Sequence, residues 1–241
     1  MQEKKLREKT IVVIGGSSGI GLSVAQKAHE FGANIVLTSR DLSKAKSVAD
    51  TIGAHVKGYA LDVSDELAVN DFFESFETID HIYVAAGSTK LGSLSEGSLE
   101  ENMETFNIRL LGSLRVVRAA VGKIPALGSV TFTGGVSTDR PIAGAWVSGL
   151  GTAAAEQFAR VLVMEFPNIR FNAVSPGYTD TPLWDSIMGT DKNEILATIA
   201  ATLPVKKIAS PEEVAAAVLF MMSNQSITGE VIHVDGGARL I

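Results

Sequence analysis

The chain has 241 residues, a formal charge of −6 and 46% apolar residues, which suits one α/β domain able to bury roughly 70% or more of its unfolded surface. It has no cysteine and four scattered histidines, so disulfides and a thiolate nucleophile are excluded and no metal-ligand spacing is offered. No basic cluster points to nucleic acid, no apolar run reaches membrane-spanning length, and the charged start, Met1 to Thr10, does not read as a signal peptide; a soluble cytoplasmic protein with a small-molecule partner is expected.

The first predicted strand, Ile11 to Ile14, is a mostly β-branched run without alternation, as for a strand buried on both faces of a parallel sheet. It ends in Gly15-Gly16-Ser17-Ser18-Gly19-Ile20-Gly21. Gly15 permits a tight turn, Gly19 lets the backbone approach a diphosphate, and Gly21 allows the next helix to pack closely on the strand. That helix is predicted to run to about Phe31, with Gly32 as its stop, its free N-terminal amides facing the diphosphate. A glycine turn alone is often only steric. Here a second apolar strand, Ile35 to Thr38, completes a βαβ unit and favours a dinucleotide site.

Asp41 is placed to cap a helix whose apolar positions Leu42, Ala45, Val48, Ala49 and Ile52 share one face. His55 to Leu61 reads as a third strand, and Asp62-Val63-Ser64-Asp65 leads into a helix with Leu67, Phe72, Phe73 and Phe76 inward. Ile79 to Ala86 is a fourth strand ending at Gly87, and Ser88 to Gly97 is a small-residue loop. A long helix over about Leu99 to Lys123 is stopped by Pro125, and the fifth strand, Ser129 to Thr133, ends in Gly134-Gly135. A second long helix, from about Gly144 to Glu165, precedes a sixth strand, Ile169 to Val174, and the turn Ser175-Pro176-Gly177. The mixed segment Thr181 to Leu203 reads as a small lid, at about residues 181–205, on a single domain covering residues 1–241. Ser210-Pro211-Glu212-Glu213 starts a helix that reaches about Ser223, and Val231 to Val234 is the last strand before Asp235-Gly236-Gly237. Strand and helix alternate throughout without linker or repeat, so the fold is predicted as an α/β, doubly wound parallel sheet.

With these motifs in order, the chain resembles the short-chain dehydrogenases/reductases along nearly its whole length. Gly15 to Gly21 resembles the family's glycine-x-x-x-glycine-x-glycine, Asp62-Val63 its adenine-binding pair, and Ala86-Gly87 the end of its Asn-Asn-Ala-Gly. Pro176-Gly177 with Thr181 is similar to the segment that meets the nicotinamide, and Gly229 with Asp235-Gly236-Gly237 to the closing strand. The resemblance implies seven parallel strands in a Rossmann-type domain and a nicotinamide cofactor across their C-terminal ends. It also implies a homodimer or homotetramer built through the two long helices. Gly15, Ser17, Ser18, Gly19, Ile20, Gly21, Ala86, Gly87, Pro176, Gly177, Thr179 and Thr181 are the expected cofactor contacts, with Asp62 and Val63 at the adenine.

The choice between nicotinamide dinucleotides turns on the end of the second strand, where an acidic side chain would hold the ribose hydroxyls of NAD. Ser39 stands there, and the neighbouring Arg40 offers a planar fork of donors suited to a 2′-phosphate, so NADP(H) is preferred over NAD(H). The alternative leaves Arg40 solvated and Asp41 serving NAD.

The usual Ser-Tyr-Lys set is expected to be missing. Alignment through Phe158, Leu162 and Glu165 puts Ser148 at the family's tyrosine, Thr152 at its lysine and Gly135 at its serine; a shift of two residues offers Trp146 and Leu150 instead. The family's asparagine falls on Asn107 by counting back from Gly135, or on Arg109 by the helical pattern, which is preferred and requires a connection about two residues shorter. Arg109 is either a pocket cation or a surface residue paired across the oligomer helices. Tyr178, beside Pro176-Gly177, is expected to be the only tyrosine near the site and serves as a pocket wall or an acid; Tyr59 and Tyr83 are expected in the core. Thr133, Ser137 and Trp146 are expected to line the pocket. The candidate catalytic residues are thus Ser148, Tyr178 and Arg109. Two functions follow: an NADP-dependent oxidoreductase with an altered active site, or an inactive NADP-binding sensor or partner subunit.

Overall fold

The buried run of β1 (Thr10–Ile14) pairs in parallel with β2 (Asn34–Ser39) on one side and β4 (His81–Val84) on the other. β3 (Val56–Ala60) extends the sheet beyond β2, and β5 (Ser129–Thr133), β6 (Arg170–Pro176) and β7 (Val231–Val234) extend it beyond β4. The resulting order in this computed structural model is β3-β2-β1-β4-β5-β6-β7, all parallel; the structure describes residues 2–87, 91–96 and 98–241. The order reverses between β1 and β4, where the carboxyl ends of the strands open a crevice.

Alternate side chains of each strand feed two cores. Val12, Ile14, Ile82, Phe132 and Phe171 face one layer, with α4 (Glu66–Glu74), α5 (Leu99–Ala120) and α6 (Trp146–Glu165). Ile11, Val13, Leu37 and Tyr83 face the other, with α2 (Gly19–Glu30), α3 (Leu42–Ile52) and α9 (Pro211–Ser223). Asp41, Asp65, Ser98 and Ser210 cap α3, α4, α5 and α9 through their side chains, each satisfying backbone donors that a helix start leaves open. A short α1 (Gln2–Leu6), which the charged start had not announced, plugs the second core with buried Leu6. α7 (Pro182–Met188) and α8 (Lys192–Thr202) occupy the mixed segment after β6.

Two core assignments need correction. Leu67 is 75% exposed, because the inward stripe of α4 is Val69, Phe72 and Phe73, continued by Phe76 just past its end, and Leu67 falls on the opposite face. Tyr59 is 40% exposed, since β3 is an edge strand with one open face; its ring meets Phe72 edge-on at 5.7 Å. The small-residue loop from Ser88 to Gly97 lies partly outside the described residues.

His81 makes the fold acid-sensitive. It is buried in β4 with Nδ1 2.9 Å from Ser129 Oγ, and burial, reinforced by the charge of Arg170, pushes its pKa down to about 3. An unfolded chain takes up that proton near pH 6.5. Stability tied to neutral His81 is therefore whole above pH 6.5 and drains as pH falls, by about 2 kcal/mol at pH 5. Urea denaturation at pH 7.5 and pH 5 is expected to show a smaller acid loss for His81→Gln than for the parent, and equal losses would refute the assignment.

Candidate functional site

The crevice at the reversal of strand order is a cavity of about 810 Å³. Its floor is the turn after β1. Gly15 has φ +84°, and a Cβ there would stand 2.9 Å from Ala86 N; a Cβ on Gly21 would run into the Gly15 carbonyl oxygen. Both positions therefore need glycine, for turn and for packing. Ser18, the residue before α2, makes no side-chain cap, so the amides at the start of that helix are left for a ligand, and an anionic diphosphate fits them. All the residues expected to contact the cofactor, from Gly15 through Thr181, line this one cavity.

At the β2 end, Ser39, Arg40, Asp62, Val63 and Lys44 line the cavity together. Lys44 was not singled out by motif, because only the first turn of α3 brings it there. Asp41 is occupied elsewhere: its Oδ1 accepts from Ser43 N at 2.8 Å, Ser43 Oγ at 2.7 Å and Lys44 N at 3.1 Å. These bonds, the Ser43 hydroxyl first, lower its pKa. Asp62 is likewise bonded by Ser64 N at 2.9 Å and Ser64 Oγ at 2.7 Å.

At the β4–β5 end, Gly134, Gly135, Ser148 and Thr152 line the cavity. Gly135 N donates to Oε1 of buried Glu156 at 3.2 Å. Thr152 Oγ1 accepts from Thr138 Oγ1 at 3.0 Å and donates to Gly149 O at 3.1 Å, which spends its hydroxyl on structure. α6 contains neither tyrosine nor lysine. Thr133 and Ser137 line the cavity as expected, but Trp146 does not; the indole at the cavity is Trp184 of α7, its ring 5.2 Å from that of Tyr178. Tyr178 is not the only tyrosine at the cavity. Tyr83 reaches it from the core side, its phenol 2.9 Å from Thr133 Oγ1, and burial raises its pKa, so it stays protonated.

Arg109 and Asn107 separate cleanly. Asn107 lines a small outer pocket of about 300 Å³ with Glu100, Glu104 and Arg115, whereas Arg109 lines the main cavity. Arg109 is not a surface residue paired across helices. Its Nη1 is buried and has no hydrogen-bond partner among the described residues, and burial lowers the guanidinium pKa from its ordinary value. α7 and α8 cover this end with Leu183, Ile187, Met188, Ile195 and Ile199. Lys192 Nζ fastens their base, 2.7 Å from both Asp180 Oδ1 and Asp185 Oδ1.

A glycine turn under an uncapped helix, at the switch point of a doubly wound sheet, defines a dinucleotide-binding α/β protein. Residues 14–239 match the family model described as enoyl-(acyl carrier protein) reductase. Carbonyl reductase family member 4 of Danio rerio is 34% identical over 240 residues, covering 95% of this chain and 98% of the relative. Among solved structures, the MalC reductase/Diels-Alderase of Malbranchea aurantiaca superposes with TM-score 0.92 at 26% identity over 100% of both chains. A small-chain dehydrogenase in complex with NADPH gives 0.83 at 29% identity, over 97% of this chain and 100% of the other. The chain belongs to the short-chain dehydrogenase/reductase family. Among the described residues, no helix is long and apolar enough to cross a membrane.

Proposed function

We propose that the chain is an NADP(H)-dependent oxidoreductase with an altered active site, which moves a hydride to or from an activated small-molecule carbonyl or conjugated alkene. The observation that carries this reading is Arg109, a guanidinium delivered into the substrate end of an otherwise complete dinucleotide cleft. Bound NADPH would supply the hydride. The chain's part is to orient the acceptor and hold the negative charge that collects on its oxygen, and a guanidinium with a buried Nη1, held by the packing around its stem, does this. Ser148 is far too weak an acid to replace a lysine-assisted phenol, so simple ketones are poor substrates. A conjugated alkene is less demanding, because its α-carbon can take a proton later, from water or from Tyr178. α7 and α8 act as the lid that excludes bulk water.

NADP preference rests on Arg40 and Lys44 at the ribose end and on the commitment of Asp41 to its helix cap. Removing a guanidinium that forks a phosphate costs about 1.5–3 kcal/mol. Arg40→Ala is therefore expected to weaken NADPH about 10- to 100-fold by calorimetry while leaving NADH unchanged. Parent protein that binds both equally would remove the NADP assignment. The reaction itself is tested with NADPH deuterated at C4 and a panel of enones and enoyl thioesters, read by mass of the product. Label in no product, with cofactor shown bound, would leave the second reading, an inactive NADP-binding sensor or partner subunit, which the absence of tyrosine and lysine from α6 favours. Assembly as a homodimer or homotetramer would cover Leu111, Leu150 and Met164 on the exposed faces of α5 and α6; sedimentation at micromolar concentration measures it.

A further inference from the structure

Gly151 lies inside α6, where glycine costs helix stability relative to alanine, and neither it nor Gly87 has the positive φ that would demand glycine. Their use is steric. A Cβ at Gly151 would stand 2.8 Å from Arg109 Cδ, and one at Gly87 would stand 2.9 Å from Arg109 Nε. The two glycines form a slot through which the side chain passes from α5 into the cleft. The cavity that the side chain enters is cationic and apolar: Arg140 lines it with a second guanidinium, held by its bond to the Ala238 carbonyl at 3.1 Å. Ile142, Leu183, Ile187 and Ile199 supply hydrocarbon. The only carboxylate among the described lining residues is Asp62, expected at the adenine and already bonded by Ser64.

We infer that the substrate end binds an apolar molecule that presents an oxyanion to Arg109, and that Gly151 and Gly87 are positioning residues that aim the guanidinium at it. The inference rests on the proposed reaction for its physiological ligand, an acceptor whose carbonyl oxygen becomes an enolate oxygen. A carboxylate on the same apolar body carries that charge in its resting state and should occupy the subsite as a non-reacting mimic. Charge-assisted bonds from a fork of donors to carboxylate oxygens are strong where water is excluded.

The probes are hexanoate, hexanamide and 1-hexanol, titrated by calorimetry into the full chain with and without saturating NADP⁺. Hexanoate is expected to bind at least tenfold tighter than either neutral probe, and Arg109→Gln to abolish the difference. Gly151→Ala is expected to remove most of the hexanoate preference while leaving hexanol binding and the melting temperature no lower than the parent's, a pattern that a purely structural role for Gly151 would not produce. Equal binding of the three probes by the parent overturns the oxyanion subsite. Retention of the full preference in Gly151→Ala overturns the positioning role. Because the cofactor-free arm needs neither NADP⁺ nor turnover, failure of the subsite and failure of the proposed reaction are read separately.

Discussion

Arg109→Gln is expected to lower kcat/KM on a conjugated carbonyl substrate by about 10²–10³-fold while NADPH affinity stays within about twofold of the parent's. The magnitude is that of removing one preorganised donor from a developing oxyanion, about 2.7–4 kcal/mol. Sparing of the cofactor follows from place: the residues proposed to hold the diphosphate and ribose are on the turn after β1 and at the end of β2, whereas Arg109 comes from α5 on the other side of the strand reversal. Glutamine is chosen because it removes the charge while keeping a polar side chain with two N–H donors, on a shorter stem. The fall is expected in kcat more than in KM, since the charge to be held is larger in the transition state than in the bound acceptor. Arg109→Lys is expected to recover only part of the loss: an ammonium is a point charge on a different stem and does not match the slot between Gly87 and Gly151. Steady-state kinetics of the three proteins checks this. Unchanged kcat/KM in Arg109→Gln would leave the guanidinium without a part in the chemistry.

Motif spacing made the cofactor end legible because its demands are local. A tight turn needs Gly15, a capped helix needs Asp41, and a buried strand shows as an unbroken apolar run; β5 and β7 fall at Ser129–Thr133 and Val231–Val234, as expected. The substrate end depends on where helices come to rest, which periodicity does not encode. Trp146 and Trp184 are equally plausible walls by composition, yet Trp146 begins α6 away from the cavity and Trp184 is carried over it by α7. Tyr83 reads as a core residue and is one, but its hydroxyl extends to Thr133 at the cavity edge. Asn107 and Arg109 are two residues apart on one helix, about 200° around its axis. Only packing against Gly87 and Gly151 decides that the arginine faces inward. α1 is hidden in the sequence for a related reason: seven charged or polar neighbours, Gln2 to Lys5 and Arg7 to Lys9, surround a single buried Leu6.

Placing serine, tyrosine and lysine at positions 135, 148 and 152, where the alignment puts the family's catalytic set, is expected to confer ketone reduction only when Arg109 is removed as well. Gly135→Ser alone is crowded, because a Cβ there would stand 2.9 Å from Thr152 Cγ2. Thr152→Lys takes that branched methyl away, so the two changes belong together, with Ser148→Tyr one turn earlier on α6. The new ammonium would then share the substrate end with the guanidinium of Arg109, whose side chain already fills the slot beside Gly151. Like charges in a site of low dielectric repel strongly and favour the neutral amine, which cannot support the phenol as acid. Arg109→Asn empties the slot and removes the repulsion. The triple variant Gly135→Ser, Ser148→Tyr, Thr152→Lys is therefore expected to stay near the parent's rate with simple ketones, itself expected to be negligible. The quadruple variant with Arg109→Asn should exceed it by at least about 10²-fold, within the ~10²–10⁴-fold, or roughly 3–5.5 kcal/mol, that general acid catalysis supplies. Equal rates for triple and quadruple variants would show that Arg109 and the lysine position do not compete. Robust ketone reduction by the parent, unaffected by Ser148→Ala and by Tyr178→Phe, would show that a proton donor outside this set already serves the site.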